Sequence, residues 1–464
     1  MSKEQLLAKL RPYGQEHLLA FWKQLGPEER HTLEAQIAGI DFALLERLYR
    51  LRNQRSELGA LLSRAEPPPA IRLKCEHHPF SLTAARETGV EAIARGRIAA
   101  VLAAGGQGTR LGFHQPKGMW PIGPLSGKTL FQIHFEKVRA VGRRYGGRIP
   151  LCLMTSPATH QPTVAFLTEH KRFGLAEEDL LIFCQGTMPA VDAESGRVLL
   201  ESPWRLALSP DGHGGLPVAM LRSGVSAELQ RRGVQHVFYF QVDNPLATIC
   251  HPVFVGYHLL AEAEFSLQVV AKREPLERLG NVMLLDGRIQ VVEYSDLPEE
   301  VAQLCNPDGT LRYWAGSIAV HIISLDLLHR GALSTSGLPF HIARKKVPFV
   351  DPAGRRCEPE RPNALKFERF IFDLLHQTER ALVVEVDRRE AFAPLKNAPG
   401  ASEDSPETVQ SQMMELHRSR LRKVGAQVAP GTPVEISPLF ALDAEELAEK
   451  IPAGTVIDKP VYFG

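Results

Sequence analysis

The run Ile98–Gly118, IAAVLAAGGQGTRLGFHQPKG, constrains the fold more than any other stretch, because a buried strand, a glycine loop and two cations follow one another within it. Ile98 to Ala104 is a continuous apolar run of the kind that a parallel strand covered on both faces requires. Gly105, Gly106 and Gly108 then let the backbone turn tightly enough to aim amide hydrogens at phosphate oxygens, and the pairs Thr109-Arg110 and Pro116-Lys117 bring fixed positive charge. A glycine cluster alone would equally describe a plain strand-to-helix turn. The two flanking pairs are what point to a nucleoside triphosphate.

The spacing excludes two commoner phosphate loops. A dinucleotide fold wants G-x-G-x-x-G opening straight into a helix, whereas Gly106, Gly108 and Gly112 are separated by Gln107 and then by Thr109, Arg110 and Leu111. A P-loop wants Gly-Lys-Ser/Thr, and Lys117 is followed by Gly118 and Met119.

A chain of 464 residues is too long for one ordinary core, so two or three domains are expected. Its Lys+Arg total of 54 against Asp+Glu of 53 leaves a net charge of +1, which offers no field for a nucleic acid or an anionic membrane. Anion binding must come from local groups. The six cysteines lie far apart with no CxxC spacing, several of them in apolar runs, which points to a reducing cytoplasm. The charged, interrupted N-terminus reads as neither a secretory signal nor a transit peptide, and no apolar run approaches a bilayer span. Glu76-His77-His78 has no second cluster near it in sequence to complete a metal tetrahedron and reads as an exposed loop.

Along the chain, apolar stripes such as Leu18, Leu19, Trp22 and Leu25, then Leu33, Ile37 and Ile40, predict packed helices over residues 1–65, followed by a linker or strap at Glu66-Pro67-Pro68-Pro69. From about 95 the pattern becomes short apolar strands alternating with helices, the α/β signature. Strands are expected at 98–104, 149–154, 180–184, 236–242, 266–271 and 316–322, with Thr129 and Gln132 forming a capping box on the helix after the glycine loop. After 385 the sequence turns Pro/Gly-rich, with short strands expected near Val434–Ile436 and Thr455–Tyr462. The expected division is a helical domain at 1–94, a catalytic domain at 95–385 and a small β-rich domain at 386–464.

In open parallel sheets ligands sit beyond the carboxyl ends of strands, where this sequence places Gln185 and Asp243. On the residues alone, Asp243 could hold Mg²⁺ through one oxygen while phosphates supply others, or could cap a helix. Gln185 offers a donor and an acceptor, but an ordinary loop glutamine reads the same way. Glu293 could accept bonds from sugar hydroxyls or be a solvated strand-end acid. Lys366, in a stretch that reads as an amphipathic helix, and Lys396, in a Pro-Leu-Lys-Asn turn, would by default be solvated lysines.

Ten segments, in order over almost the whole chain, resemble the eukaryotic-type UDP-N-acetylhexosamine pyrophosphorylases: LAAGGQGTRLG with PKGM, MTSPATHQPTVAFLTEHKRFGL, QGTMPA, PDGHGGL, QVDN, VVEYSD, AGSIAVH, NALKFERFIFD, FAPLKNA and EISPL. The resemblance implies a Rossmann-like nucleotidyltransferase core of the GT-A type, a mixed sheet carrying a helical leader and a small β-rich tail. It assigns Gly105, Gly106, Gly108, Thr109, Gln185, Gly212 and Lys366 to UTP, with Arg110, Lys117 and Lys396 as catalytic cations. Asp243 goes to Mg²⁺, and His213, Glu293, Tyr294 and Ser317 go to the sugar.

The implied reaction joins UTP and a hexose 1-phosphate, foremost N-acetylglucosamine 1-phosphate, into a UDP-sugar and pyrophosphate. The chain departs from the family at the sugar, where PDGHGG stands for PDGNGG and YWAGSIAVH for FNAGNIANH, so that His213 and Ser317 replace two asparagines. A UTP:glucose-1-phosphate or broad-specificity UDP-sugar pyrophosphorylase is therefore the near alternative. A non-catalytic nucleotide-sugar sensor is the distant one, opposed by the intact Arg110, Lys117 and Asp243.

Overall fold

The computed structural model describes residues 1–52, 62, 64–74, 78–334 and 337–464. Packing divides the chain into two compact units, each assembled from separate stretches: one from Met1–Gly59, Gln185–Leu216 and Thr335–Asp373, the other from Ala60–Cys184, Pro217–Ser334 and Leu374–Gly464. This partition differs from consecutive domains meeting at residues 94 and 385. The helical leader shares one core with two later excursions of the chain: Leu6, Leu18, Leu33 and Phe42 pack with Val191, Leu200 and Phe367.

The larger unit is built on a nine-stranded mixed sheet. Ile98–Ala103 is its central strand, parallel to Leu151–Thr155 on one side and His236–Gln241 on the other, and Leu180–Cys184 extends the parallel set. Residues 98–102 are at most 1% exposed, as an all-apolar strand beneath two helical layers must be. Ala315–Ser324 runs antiparallel between His236–Gln241 and Phe265–Ala271, and Ala381–Glu385 pairs in parallel with the latter. The expected strands are all present to within a few residues at their ends.

Three local expectations need correction. Leu18 to Leu25 is not one helix but two short 3₁₀ turns, Glu16–Leu19 and Trp22–Gln24, before Pro27 opens the helix Pro27–Gly39. Thr129 Oγ1 does accept from Gln132 N at 3.2 Å. The Gln132 amide, however, turns along the helix to Glu136 Oε1 at 2.9 Å, so the reciprocal half of the capping box is not made. Finally, Lys366 lies not on a helix but on the strand Ala364–Glu368, opposite Ala343 of His341–Lys345. Leu365 and Phe367 are buried while Lys366 and Glu368 are only partly covered, the alternation of a strand whose pairing overrides its helical composition.

The proline segment is a strap. Glu66 bridges Leu284 through two backbone hydrogen bonds of 2.9 Å, and Ile71 bridges Val384. The tail holds the expected strands at Val434–Ile436, Val456–Ile457 and Val461–Phe463, together with an 18-residue helix, Pro406–Lys423. Cys152, Cys184, Cys250, Cys305 and Cys357 are free thiols, and Cys75, Glu76 and His77 lie outside the described residues. Among the described residues no helix is long and apolar enough to cross a membrane.

Candidate active site

The glycine loop leaves the carboxyl end of the central strand and folds back on itself. Gly108 N donates to Gln115 O, Lys117 N donates to Gly106 O, and Gln107 bridges Pro116, so the two cation-bearing ends of the motif are clamped side by side. A Cβ on Gly108 would stand 2.8 Å from the Phe113 ring, so only glycine fits there. The loop therefore uses its glycines unequally. The Gly108 amide is spent inside the loop and is not one of those aimed at a phosphate, whereas the amides of Gly106, Gln107, Thr109 and Arg110 have no backbone acceptor. Arg110 and Thr109 are exposed. The hydroxyl of Ser156, just beyond the neighbouring strand, donates to Gly105 O at 2.7 Å and fixes the start of the loop.

Lys117 reaches from this loop to the end of the adjacent parallel strand. Its Nζ lies 3.7 Å from Asp243 Oδ2 and donates to Leu395 O at 3.2 Å. Both side chains are largely covered, 18% and 15% exposed. Asp243 occupies a turn and caps no helix, since the next helix, Pro252–Leu260, has His251 at its N-cap. Leu395 N donates to Asp243 O at 2.8 Å, which delivers Lys396 to the same corner. Lys117 and Asp243 are thus both bonded to the backbone of Leu395, the neighbour of Lys396, although 279 positions (396 − 117) separate the first candidate from the last.

Elsewhere in this unit, the hairpin Gly280–Leu285/Arg288–Val292 pairs with Ala315–Ser324 so that Ser317 stands opposite Gly280. A Cβ built on Gly280 would lie 3.6 Å from Glu293 Oε1 and 3.8 Å from Ser317 Cβ, so Glu293 and Ser317 flank one glycine. Ser317 Oγ accepts from Ala319 N at 3.4 Å. Ala319 itself has a φ of 55°, and the strand carries an irregularity there. Tyr294 is 48% exposed.

The other unit holds the remaining candidates. Thr187–Pro189 pairs with Leu208–Pro210, and Asp211 N donates to Gly186 O at 3.0 Å, which sets the buried Gln185 and Gly212 at one end of the hairpin. Gly212 has a φ of 84°, and a Cβ there would stand 2.3 Å from Arg369 O. His213 is half-buried, its Nδ1 accepts from Ile371 N at 3.0 Å, and its ring stacks on Phe370 at 5.4 Å. Burial pulls it down to about 4, partly countered by Asp373, so it is neutral at pH 7. Lys366, on its strand, is half-buried.

Residues 65–445 match the family model described as UTP–glucose-1-phosphate uridylyltransferase. The chain belongs to this family. It is 38% identical over 443 residues to the human UDP-N-acetylhexosamine pyrophosphorylase-like protein 1, covering 92% of this chain and 87% of that one. To the UDP-N-acetylglucosamine pyrophosphorylase of Saccharomyces cerevisiae it is 36% identical over 457 residues, 94% of each. The crystal structure of the uridine diphosphate N-acetylglucosamine pyrophosphorylase from Trypanosoma brucei in complex with inhibitor superposes with a TM-score of 0.82 at 27% identity, covering 99% of both chains. This member of the uridylyltransferase family is a nucleotidyltransferase.

Several residues that tie the candidate segments together were not singled out from the sequence. Asn244, only 3% exposed, donates to Ala391 O at 2.8 Å and accepts from Ala393 N at 3.0 Å, tying the segment before Lys396 to the Asp243 turn. Asp404 O accepts from Lys396 N and Asn397 N at 2.8 and 3.0 Å, and burial raises the Asp404 carboxyl while Lys396 opposes that shift. Lys272 is buried against Asn281 Oδ1 at 2.6 Å, and burial lowers its ammonium. No local pattern marks these residues. The Asp286-Gly287 hairpin that positions Glu293 did carry a signal, since Asp-Gly between alternating apolar runs favours a two-residue turn with positive φ, and the observed angles are 48° and 78°.

Proposed function

We propose that this chain catalyses the transfer of a uridylyl group from UTP to N-acetylglucosamine 1-phosphate, giving UDP-N-acetylglucosamine and pyrophosphate, in the cytoplasm. The observation that carries the reading is the corner in which Lys117 and Asp243 face one another at 3.7 Å and Lys396 is bonded in through Leu395. Two polyanions must be aligned there and charge on the α-phosphate and departing pyrophosphate neutralised. The attacking sugar phosphate is already an anion, so no general base is needed.

The donor set tests the metal. Among the described residues no group of three or more His, Cys, Asp or Glu side chains could cage an ion. A single largely covered carboxylate suits Mg²⁺, which keeps waters and takes its remaining oxygens from phosphates. Asp243 would hold it, and the ion would supply charge neutralisation at the α-phosphate. Lys117 and Arg110 stabilise the leaving pyrophosphate, the open amides of Gly106 and Thr109 receive its oxygens, and Gly105 and Gly108 shape that loop. Lys366 supports the nucleotide and Lys396 holds the incoming phosphate. Within the smaller unit Gln185 and the Gly212 backbone are assigned to uracil and His213 to the sugar, and within the larger unit Glu293, Tyr294 and Ser317 are assigned to the sugar.

A second reading, acceptance of hexose 1-phosphates without the N-acetyl group, is favoured by Ser317, a short hydroxyl already engaged by Ala319 N. Incubation with UTP, Mg²⁺ and a panel of sugar 1-phosphates, followed by chromatography of the UDP-sugars, decides between them. The first reading requires N-acetylglucosamine 1-phosphate to give the highest kcat/KM. No product with any sugar would overturn both.

A further inference from the structure

The helix Leu130–Tyr145 carries a lysine in its apolar stripe, Ile133, Lys137 and Val141 following at four-residue steps, and the helix Pro406–Lys423 carries Arg420 beside Met413 and Leu416. Both helices, with the segments around Ile249 and Ile436, enclose a cavity of about 310 Å³ within the larger unit, the size at which small-molecule sites begin. Lys137 and Arg420 both line it. Burial pushes the Lys137 ammonium down to about 7, with Arg420 adding to the effect; burial likewise lowers Arg420, opposed by Glu390 and Asp443.

The acidic groups in the wall are already engaged. Glu390 holds Lys423 at 2.6 Å, Asp443 holds Arg144 at 2.6 Å, and Glu445 holds Arg144 at 2.8 Å. Glu435 accepts from Leu125 N, Ser126 N and Ser126 Oγ at 2.6 to 2.7 Å. Lys137 donates to Pro245 O and Ala247 O, and Arg420 feels Glu390 and Asp443 only through space. His251 and His417 are held neutral by burial at pH 7. A guanidinium and an ammonium lining one cavity, both half-buried and neither bonded to a carboxylate, favour an anion between them.

We propose that this cavity is a binding site for a small organic anion, one phosphate or carboxylate head between Arg420 and Lys137 and an apolar body against Ile133, Val141, Ile249, Met413 and Leu416. It is separate from the phosphate corner. Lys137 nevertheless holds the carbonyl of Pro245, two residues after Asp243, so an occupant would press on the turn that carries the metal carboxylate.

Calorimetric titration of the full chain tests this with phenyl phosphate, phenylacetate and neutral benzyl alcohol, in saturating UDP-N-acetylglucosamine so that the phosphate corner is filled. At least one of the two anions is expected to bind one site per chain, with benzyl alcohol much weaker; which anion prevails identifies the head group. Arg420→Met should weaken that binding about ten- to a hundredfold, as loss of a charge-assisted pair does, whereas Arg420→Lys retains most of it. If UDP-N-acetylglucosamine does not bind, the reading of the active site fails, and Arg420→Met still locates the anion. Benzyl alcohol binding as tightly as the anions, no binding of either anion, or an unchanged affinity in a folded Arg420→Met protein would each overturn the proposal.

Discussion

Two glycine-rich loops, Gly105–Gly112 and Gly212–Gly215, look alike in the sequence and do different things. In the first, Gly106 has nothing within 4 Å of where a Cβ would go, and its amide has no backbone acceptor among the described residues. In the second, Cβ atoms on Gly212, Gly214 and Gly215 would stand 2.3 to 2.5 Å from Arg369 O, Phe370 N and Asp211 Oδ1. The first loop mixes the two uses, open space at Gly106 and a close approach of Phe113 at Gly108, whereas at Gly212, Gly214 and Gly215 every glycine is required by a close approach. A glycine motif therefore marks a close approach without saying what approaches.

The comparison breaks most visibly at the charges. Asp243→Asn or Lys117→Ala should cut turnover about a hundredfold or more, with Arg110→Ala close behind, while the denaturant midpoint stays near the wild type. Near-normal turnover in any of them would remove the phosphate corner from the mechanism. Gly212→Ala should cost roughly 2–4 kcal/mol of stability, through overpacking and a positive φ that alanine resists. Urea unfolding measures it, and an unchanged midpoint would mean the Arg369 backbone can yield.

A smaller effect is expected at the sugar. His213→Asn with Ser317→Asn should shift kcat/KM ratios toward N-acetylglucosamine 1-phosphate by roughly 1–3 kcal/mol, one or two hydrogen bonds' worth. The His213 seat divides this further. Its Nδ1 serves the backbone of Ile371, a task an asparagine oxygen can also perform, so most of the shift should come from Ser317. The two single variants separate the contributions.

His213 also gives a pH signature. The unfolded chain takes up a proton near the ordinary 6.5, whereas the ring in the folded chain does so only near about 4. Its contribution to stability is therefore complete above about 6.5 and is lost as the pH falls toward about 4. His213→Asn should flatten the stability curve in that window by up to one proton, and an identical slope would show that the ring titrates normally. The smallest effect is reserved for Gly106→Ala, which should leave stability within about 0.5 kcal/mol of the wild type.

Much of this was legible in the chain itself. Continuous apolar runs placed the strands of the parallel core, because burial on both faces leaves a strand no polar position. The order of strand, glycine loop, Arg110 and Lys117 marked the loop at the carboxyl end of the central strand, because charge and turn geometry are local properties. What local pattern could not decide was assembly. Lys366 reads as helical but pairs as a strand because its partner, His341–Lys345, lies about twenty residues before it in the chain. Asn244 and Asp404 acquired their tasks only when the segment around Lys396 folded back on the Asp243 turn. The sequence by itself determined the fold class and the place of the glycine loop after the central strand, since each rests on neighbours along the chain. Tertiary structure alone decided which amides stay open, which glycines are steric, and that Lys117, Asp243 and Lys396 share one corner, because hydrogen bonds and close contacts between distant segments leave no trace in spacing.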